Sequence, residues 1–141
     1  MSFEIRRLDE VDIEKGYIEL LGQLTTCEKI TKEEMRIFCE GLGKNHQVWV
    51  IEDKGWIIGS GTLLIEKKII HNMGKVGHIE DIVIDKEYRG KKLGEMMIRH
   101  LTDKSKEMGC YKVILDCEES KKGFYEKCGY YQKGYQMAYY I

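Results

Sequence analysis

The chain has 141 residues, no proline and a formal net charge of −1. That length makes one domain with a sizeable core, spanning 1–141, without Pro-rich linkers. The balanced charge excludes a bulk electrostatic pull toward nucleic acid or an acidic membrane surface.

No apolar run approaches the roughly 18 residues needed to span a bilayer, and residues 1–6 lack the apolar segment of a secretory signal. A cytoplasmic protein with no membrane insertion and no nucleic-acid partner is therefore expected. Cys27, Cys39, Cys110, Cys117 and Cys128 include no Cys-x-x-Cys pair. They read as reduced thiols serving as small core hydrophobes, and no metal is expected.

Phe3 and Ile5 alternate with polar neighbours, which predicts a short strand. Asp9 or Asp12 can cap a helix that buries Ile13, Tyr17, Leu20, Leu21 and Leu24 and closes at 24–26 without glycine. Thr31-Lys32-Glu33-Glu34 is a capping box. It starts a helix with Met35, Phe38, Cys39 and Leu42 on its apolar face, ended by Gly41 and Gly43. Val48-Trp49-Val50-Ile51 reads as a buried strand and Asp53-Lys54-Gly55 as a hairpin turn. A long strand over 56–65 is interrupted by Gly59-Ser60-Gly61, where a bulge or a close backbone approach is expected. Asn72-Met73-Gly74-Lys75 predicts a turn, and 76–84 a strand. Leu93, Met97, Leu101 and Met108, with Met96 alongside, recur at helical spacing up to a Gly109 C-cap. A strand over 111–117, a short helix over 121–128 stopped by Gly129, and a final strand over 135–141 complete the chain. The order predicts a mixed α/β fold: hairpin strands first, then a parallel, right-handed strand–helix–strand unit.

Between the strand over 76–84 and the helix that follows lies Arg89-Gly90-Lys91-Lys92-Leu93-Gly94. A strand that feeds a glycine-bearing loop and then a helix aims several backbone N–H groups at one point, and the helix dipole adds partial positive charge there. With three cations beside it, the loop suits a phosphate or pyrophosphate. A surface turn with solvated lysines is the alternative. The loop is neither a P-loop, lacking Gly-Lys-Ser/Thr, nor a dinucleotide fingerprint, lacking the three-glycine spacing.

These residues resemble the Arg/Gln-x-x-Gly-x-Gly/Ala loop of the GNAT acetyltransferases, with Lys92 in place of the middle glycine. The likeness continues through Glu66-Lys67-Lys68-Ile69-Ile70-His71, His78-Ile79-Glu80-Asp81-Ile82, Gly109-Cys110-Tyr111-Lys112 and Phe124-Tyr125-Glu126-Lys127-Cys128-Gly129-Tyr130. Those blocks are similar to the branch of the family that acetylates glucosamine 6-phosphate. The resemblance implies the GNAT fold, a mixed central sheet with two splayed parallel strands and flanking helices. It implies acetyl-CoA as cosubstrate, with its pyrophosphate against Arg89, Gly90, Lys91, Lys92, Leu93, Gly94 and Glu95, and with Tyr125 and Lys127 nearby. The backbone of Ile82, Val83 and Ile84 would pair with pantetheine as an added strand does. The implied acceptor is a small amino-sugar phosphate contacted by Thr25, Lys68, Ile69, Ile70, His71, Glu80, Asp81, Ile82, Tyr111, Lys112 and Asp116. The implied assembly is a homodimer.

Acetyl transfer to an amine needs a neutral amine, donors for the developing oxyanion, a proton for the leaving thiolate and aligned substrates. Glu80 is the candidate to take the amine's proton, directly or through a water; a solvated carboxylate or a partner for Lys68 is the other reading. Strict strand alternation puts Asp81 on the face opposite Glu80. Tyr125 is the candidate acid, since tyrosine's usual pKa of about 10 lies near that of a thiol; the alternative is a core tyrosine. Asp116 stands at the carboxyl edge of its strand, where ligands of α/β sheets collect.

As isolated residues, Lys68, His71 and Lys112 read as solvated cations, and His46, His78 and His100 carry no functional reading. Lys121 stands where the family usually has an Asn that contacts the cofactor. The end, Ala138-Tyr139-Tyr140-Ile141, lacks the family's basic residue that reaches the phosphate across a dimer. Tyr135, Met137, Tyr139 and Ile141 share one face of the last predicted strand, an edge that a second copy would cover. Rival readings keep the fold but change the acceptor to a polyamine or a protein N-terminus, or leave a non-catalytic acyl-CoA-binding module.

Overall fold

The computed structural model of the protein describes residues 3–141. In chain order the strands are β1 (Glu4–Arg7), β2 (His46–Asp53), β3 (Trp56–Lys67), β4 (Lys75–Ile84) and β5 (Cys110–Leu115). They lie side by side in that order in one sheet. The first three junctions are antiparallel and β4–β5 is parallel. The helices are α1 (Tyr17–Leu21), α2 (Lys32–Glu40), α3 (Ile70–Met73), α4 (Leu93–Glu107) and α5 (Lys122–Lys127), with α4 forming the crossover from β4 to β5. The expected mixed α/β architecture is thus present. No helix among the described residues is long and apolar enough to cross a membrane.

Period-2 alternation divides the sheet's side chains between two cores. On one face Ile51, Ile58, Leu63, Ile65 and Ile79 pack against Leu93, Met97, Ile98 and Leu101 of α4. On the other, Val48, Val50, Ile57 and Val83 pack against Leu8, Tyr17, Leu20 and Met35. The close approach expected at Gly59-Ser60-Gly61 is real. A Cβ on Gly59 would stand 2.9 Å from Ile84 Cδ1, and one on Gly61 would stand 2.7 Å from Ile82 Cδ1. The hairpin turn also forms as read, with Lys54 and Gly55 both at positive φ (51° and 83°), the backbone a tight two-residue turn requires. So does the Thr31 box: Glu34 N donates to Thr31 Oγ1 at 3.0 Å, and Thr31 N to Glu34 Oε1 at 2.8 Å.

Five local expectations need correction. The first helix is two pieces: a 3-10 stretch, Glu10–Lys15, capped by Asp9, and then α1. Asp12 is drawn under the sheet edge by a bidentate pair with Arg6, at 2.9 and 2.7 Å. The chain then turns at Gly16, φ 79°, where a Cβ would sit 3.2 Å from the Trp56 ring. Gly22 ends α1, so its close is not glycine-free, and Leu24 is exposed. Second, Phe38 lies outside the core, edge-on to His46 at 6.0 Å, because α2 seats its Met35 stripe on the sheet and turns Phe38 away. Third, Cys39, Cys110 and Cys128 are half-buried against the two cores as read, but none of the five cysteines is fully buried, and Cys27 and Cys117 stand outside, Cys117 exposed. Fourth, β5 stops at Leu115, which leaves Asp116 and Cys117 beyond it.

The fifth correction concerns the C-terminus. Residues 135–141 form no strand, and Tyr135 and Tyr140 are 89% and 93% exposed. A strand exists through its partner's hydrogen bonds. Among the described residues this stretch finds no backbone partner; a side-chain bond, Gln136 Nε2 to Asp116 Oδ2 at 3.1 Å, ties it down.

Candidate active site

The parallel pairing of β4 with β5 runs from Lys75↔Cys110 to Ile79↔Leu115. There β5 ends, while β4 continues to Ile84. The edge of β4 that carries Ile82, Val83 and Ile84 therefore faces an opening rather than a neighbouring strand. Glu80 and Asp116 follow the last pair in step, at the mouth of that opening.

A bulge sits at the same place. Thr62 pairs with Glu80 but Ser60 pairs with Val83, so three steps along β4 match two along β3. The extra residue is Asp81, with φ 52°. Asp is one of the few side chains that visit this left-handed region. The bulge resets the alternation. Ile79 faces α4, and Ile82 returns to that face against Gly61, while Val83 enters the opposite core. Asp81 is therefore not simply the opposite-face neighbour that alternation predicted; it is exposed alongside Glu80.

Three carboxylates now converge. Partial burial pushes the Glu80 carboxyl above the usual range, the charges of Asp116 and Asp81 push it further, and His78 pulls back. Such a cluster attracts an ammonium and holds a group able to take its proton. Tyr125 comes from α5, edge-on to Phe124 with ring centroids 5.0 Å apart. Burial raises its hydroxyl above the ordinary tyrosine value, with Cys117, Cys128 and Tyr130 adding to the effect, so at neutral pH the oxygen keeps its proton.

The glycine loop is anchored at its front. Asp85 N donates to Ile58 O at 2.8 Å, and Asp85 Oδ1 accepts from Glu87 N at 2.8 Å. Gly90 has φ 83°, and a Cβ there would meet nothing within 4 Å, so its backbone lies open. Lys92, the residue that replaces the family's glycine, keeps a glycine-like backbone: φ 62° at the N-terminal cap of α4. Gly94 has a different surrounding from the one expected, since a Cβ there would sit 3.2 Å from Phe124 Cζ. Its smallness lets α4 and α5 meet. Among the described residues no carboxylate pairs with Arg89, Lys91 or Lys92, whereas Glu95 is held ionised chiefly by Arg99, at 2.8 Å, with smaller help from Lys92 and Lys127. Open backbone, unneutralised cations and a helix N-terminus together fit a pyrophosphate. Beside the loop runs an open groove of about 550 Å³ that shares Lys91, Lys92 and Glu95 with it.

The remaining candidates are spread out. Lys68 pairs with Glu66 at 3.1 Å, not with Glu80, and the other oxygen of Glu66 meets His78 Nε2 at 2.9 Å. His78, to which the sequence reading gave no role, precedes Glu80 by two positions and shares its face of β4. The line Lys68–Glu66–His78 thus runs along the open sheet face toward Glu80. His71 stacks on Tyr111, centroids 4.2 Å apart, and Lys112 Nζ stands 5.8 Å from the same ring. These three lie near the start of the β4–β5 pair, roughly 16 Å of strand from Glu80 at about 3.3 Å per residue. Ile69 and Ile70 are exposed there. Thr25 lies on the turn after α1, where its N–H donates to Leu21 O at 3.2 Å. Within one chain, then, Glu80, Asp81, Asp116 and the edge of β4 come together, Lys68 reaches toward them, and His71, Tyr111 and Lys112 stand apart. Among the described residues no group of three or more His, Cys, Asp or Glu side chains is placed to hold a metal ion.

A parallel pair that opens beyond its last shared residue, with a glycine-bearing loop leading into the following helix, is the layout the acetyltransferase likeness implied. The acetyltransferase (GNAT) family matches residues 15–130, and the chain belongs to that family, whose enzymes use acetyl-CoA. Its relatives narrow the comparison. The chain is 50% identical to the glucosamine 6-phosphate N-acetyltransferase of Arabidopsis thaliana, over 99% of this chain and 97% of that protein. It is 43% identical to the enzyme of the same name from Candida albicans, over 97% and 95%. The crystal structure of the Arabidopsis thaliana protein superposes with a TM-score of 0.96, covering 100% of this chain and 99% of the other at 48% identity. An acetyltransferase from Trypanosoma brucei superposes at 0.93, with 36% identity and coverage of 99% and 100%.

Proposed function

We propose that this chain, as a single domain, transfers the acetyl group of acetyl-CoA to the amine of glucosamine 6-phosphate by direct attack in a ternary complex. The observation that carries the reading is the convergence of Glu80, Asp81 and Asp116 at the point where β4 and β5 part, with Tyr125 supplied by α5. The names of its relatives support the acceptor. Glu80 accepts the proton of the acceptor's ammonium, directly or through a water, and Asp81 and Asp116 hold the amine over it. Acetyl-CoA, when bound, supplies the thioester carbonyl. The edge of Ile82, Val83 and Ile84 aligns the pantetheine arm, and Arg89 to Glu95 neutralise the pyrophosphate. Tyr125 holds a proton at its hydroxyl for the departing thiolate.

The carboxylates would receive an ammonium from any amine; the cations select the phosphate. Lys68, linked toward Glu80 through Glu66 and His78, is the cation we assign to the phosphate. Two copies of the chain would bring further cations and the exposed stretch 135–141 to each pocket, and the assembly we infer is a homodimer. The five free thiols suit the reducing cytoplasm.

A thiol-release assay comparing glucosamine 6-phosphate, glucosamine, spermidine and an N-terminal peptide tests the acceptor. The phosphorylated sugar should lead glucosamine by at least about tenfold in kcat/KM, the worth of one charge-assisted contact. A polyamine or peptide that outruns it would replace the acceptor, and no turnover with any amine would leave a binding module.

A further inference from the structure

Between α1 and α2, residues 22–31 form neither helix nor strand, and all but Cys27 are exposed. Thr25 lies in this stretch. Gln23, Leu24 and Thr25 still donate to carbonyls of α1, but among the described residues 26–30 make no backbone-to-backbone hydrogen bond. Few contacts and exposed backbone define a segment that opens at low cost.

One bond ties this connection to a segment distant in sequence. Gln23 Oε1 accepts from Lys86 N at 2.9 Å, across 63 positions of sequence. Lys86 opens the 3-10 turn Lys86–Tyr88 that leads into the glycine loop, and its N–H is one of that turn's leading donors, which have no partner inside the turn. Just before it, Asp85 is pinned to Ile58 on β3. Gln23 therefore grips the loop immediately after its fixed point, where any adjustment to an anion begins. On the near side, Leu20 and Tyr17 root α1 in the core shared with Val83.

We propose that Gln23 is a positioning residue that couples the two substrate sites: a cofactor settling the 85–94 loop steadies the 23–26 turn through Lys86 N, and so presents Thr25 to the acceptor. The acceptor half rests on the reading that this chain acetylates glucosamine 6-phosphate. Coupling of this kind is reciprocal, so the acceptor also strengthens cofactor binding by the same factor.

Two measurements test it on the full chain, with CoA as the probe so that no turnover occurs. In calorimetry, CoA should tighten glucosamine 6-phosphate binding by about three- to tenfold, the range that one hydrogen bond supports. Gln23→Ala should abolish that gain. Gln23→Glu, which keeps an oxygen for Lys86 N, should retain it. In hydrogen exchange, CoA should slow the amides of 24–31 in the native chain and not in Gln23→Ala, whether or not a sugar is present. Equal coupling and equal protection in native and Gln23→Ala proteins would overturn the proposal, as would an absence of protection in both. If the native chain binds no sugar phosphate while CoA still protects 24–31 in a Gln23-dependent way, the device stands and the acceptor reading falls.

Discussion

Glu80 holds its proton more firmly than an ordinary glutamate because partial desolvation and two neighbouring carboxylates disfavour its charge. A base must be ionised to act, so activity should fall as pH drops through that raised value, above the usual 4.3 of a glutamate. Asp116→Asn removes one of the repelling charges, so the acid limb of the kcat/KM profile should move to lower pH. A limb that stays in place would assign it to another group. In the proposed mechanism Tyr125 has the opposite task, and its raised hydroxyl keeps the proton across the neutral range. Tyr125→Phe should leave the fold intact and lower kcat by about 10²–10⁴-fold, the usual scale for a lost general acid. Full activity, with chemistry shown to be rate-limiting, would give the thiolate's proton to solvent. As candidates, Glu80 and Tyr125 stand out in the sequence because their blocks carry the family likeness. The company of His78 beside Glu80 was not legible there, since strand pairing alone sets which residues face one another.

Among the elements, the 3-10 stretch that precedes α1 is held by Arg6. The Asp12 side chain is 0% exposed, and Arg6 meets it with two nitrogens while Nε and Nη2 both donate to Glu52 Oε1. Arg6→Met would strand a buried carboxylate, at a cost of about 3 kcal/mol. In a chain of this size the thermal midpoint should fall by roughly 10 °C. Arg6→Met with Asp12→Leu should recover most of the loss, because replacing both partners leaves no uncompensated charge. Calorimetric scans of both variants decide it; equal midpoints for the native chain and Arg6→Met would show the pair to be inert. The pH dependence has a defined sign: Glu52 sits below its usual range through Arg6, so its stabilising share is present above the unfolded pKa and is lost as pH falls through the folded one. From sequence Asp12 was a rival cap, since nothing local shows that a carboxylate six residues beyond an arginine will be buried with it.

For the whole molecule, the open face around Glu80 and the apolar residues at 135–141 raise one question: what covers them. The proposed homodimer answers both. Deleting residues 139–141 should weaken self-association and raise KM for glucosamine 6-phosphate more than for acetyl-CoA. Sedimentation and steady-state kinetics check this, and a native chain that is monomeric and fully active at assay concentration would remove the shared pocket.

What the sequence determined by itself follows from short-range chemistry. Thr31 with Glu34, Lys54 with Gly55, and the spacing of Leu93, Met97 and Leu101 each specify an element within a few residues. The loop from Arg89 to Gly94 reads as a candidate anion site on the same short-range grounds. Three features were decided only by tertiary structure. The bulge at Asp81 arises because β3 and β4 must both satisfy α4 on one face and Val83's core on the other. Gly94 is small for the sake of Phe124, thirty positions on. The last seven residues read as a strand by alternation yet form none, because alternation prepares a face whereas a strand also needs a neighbour to accept and donate its hydrogen bonds.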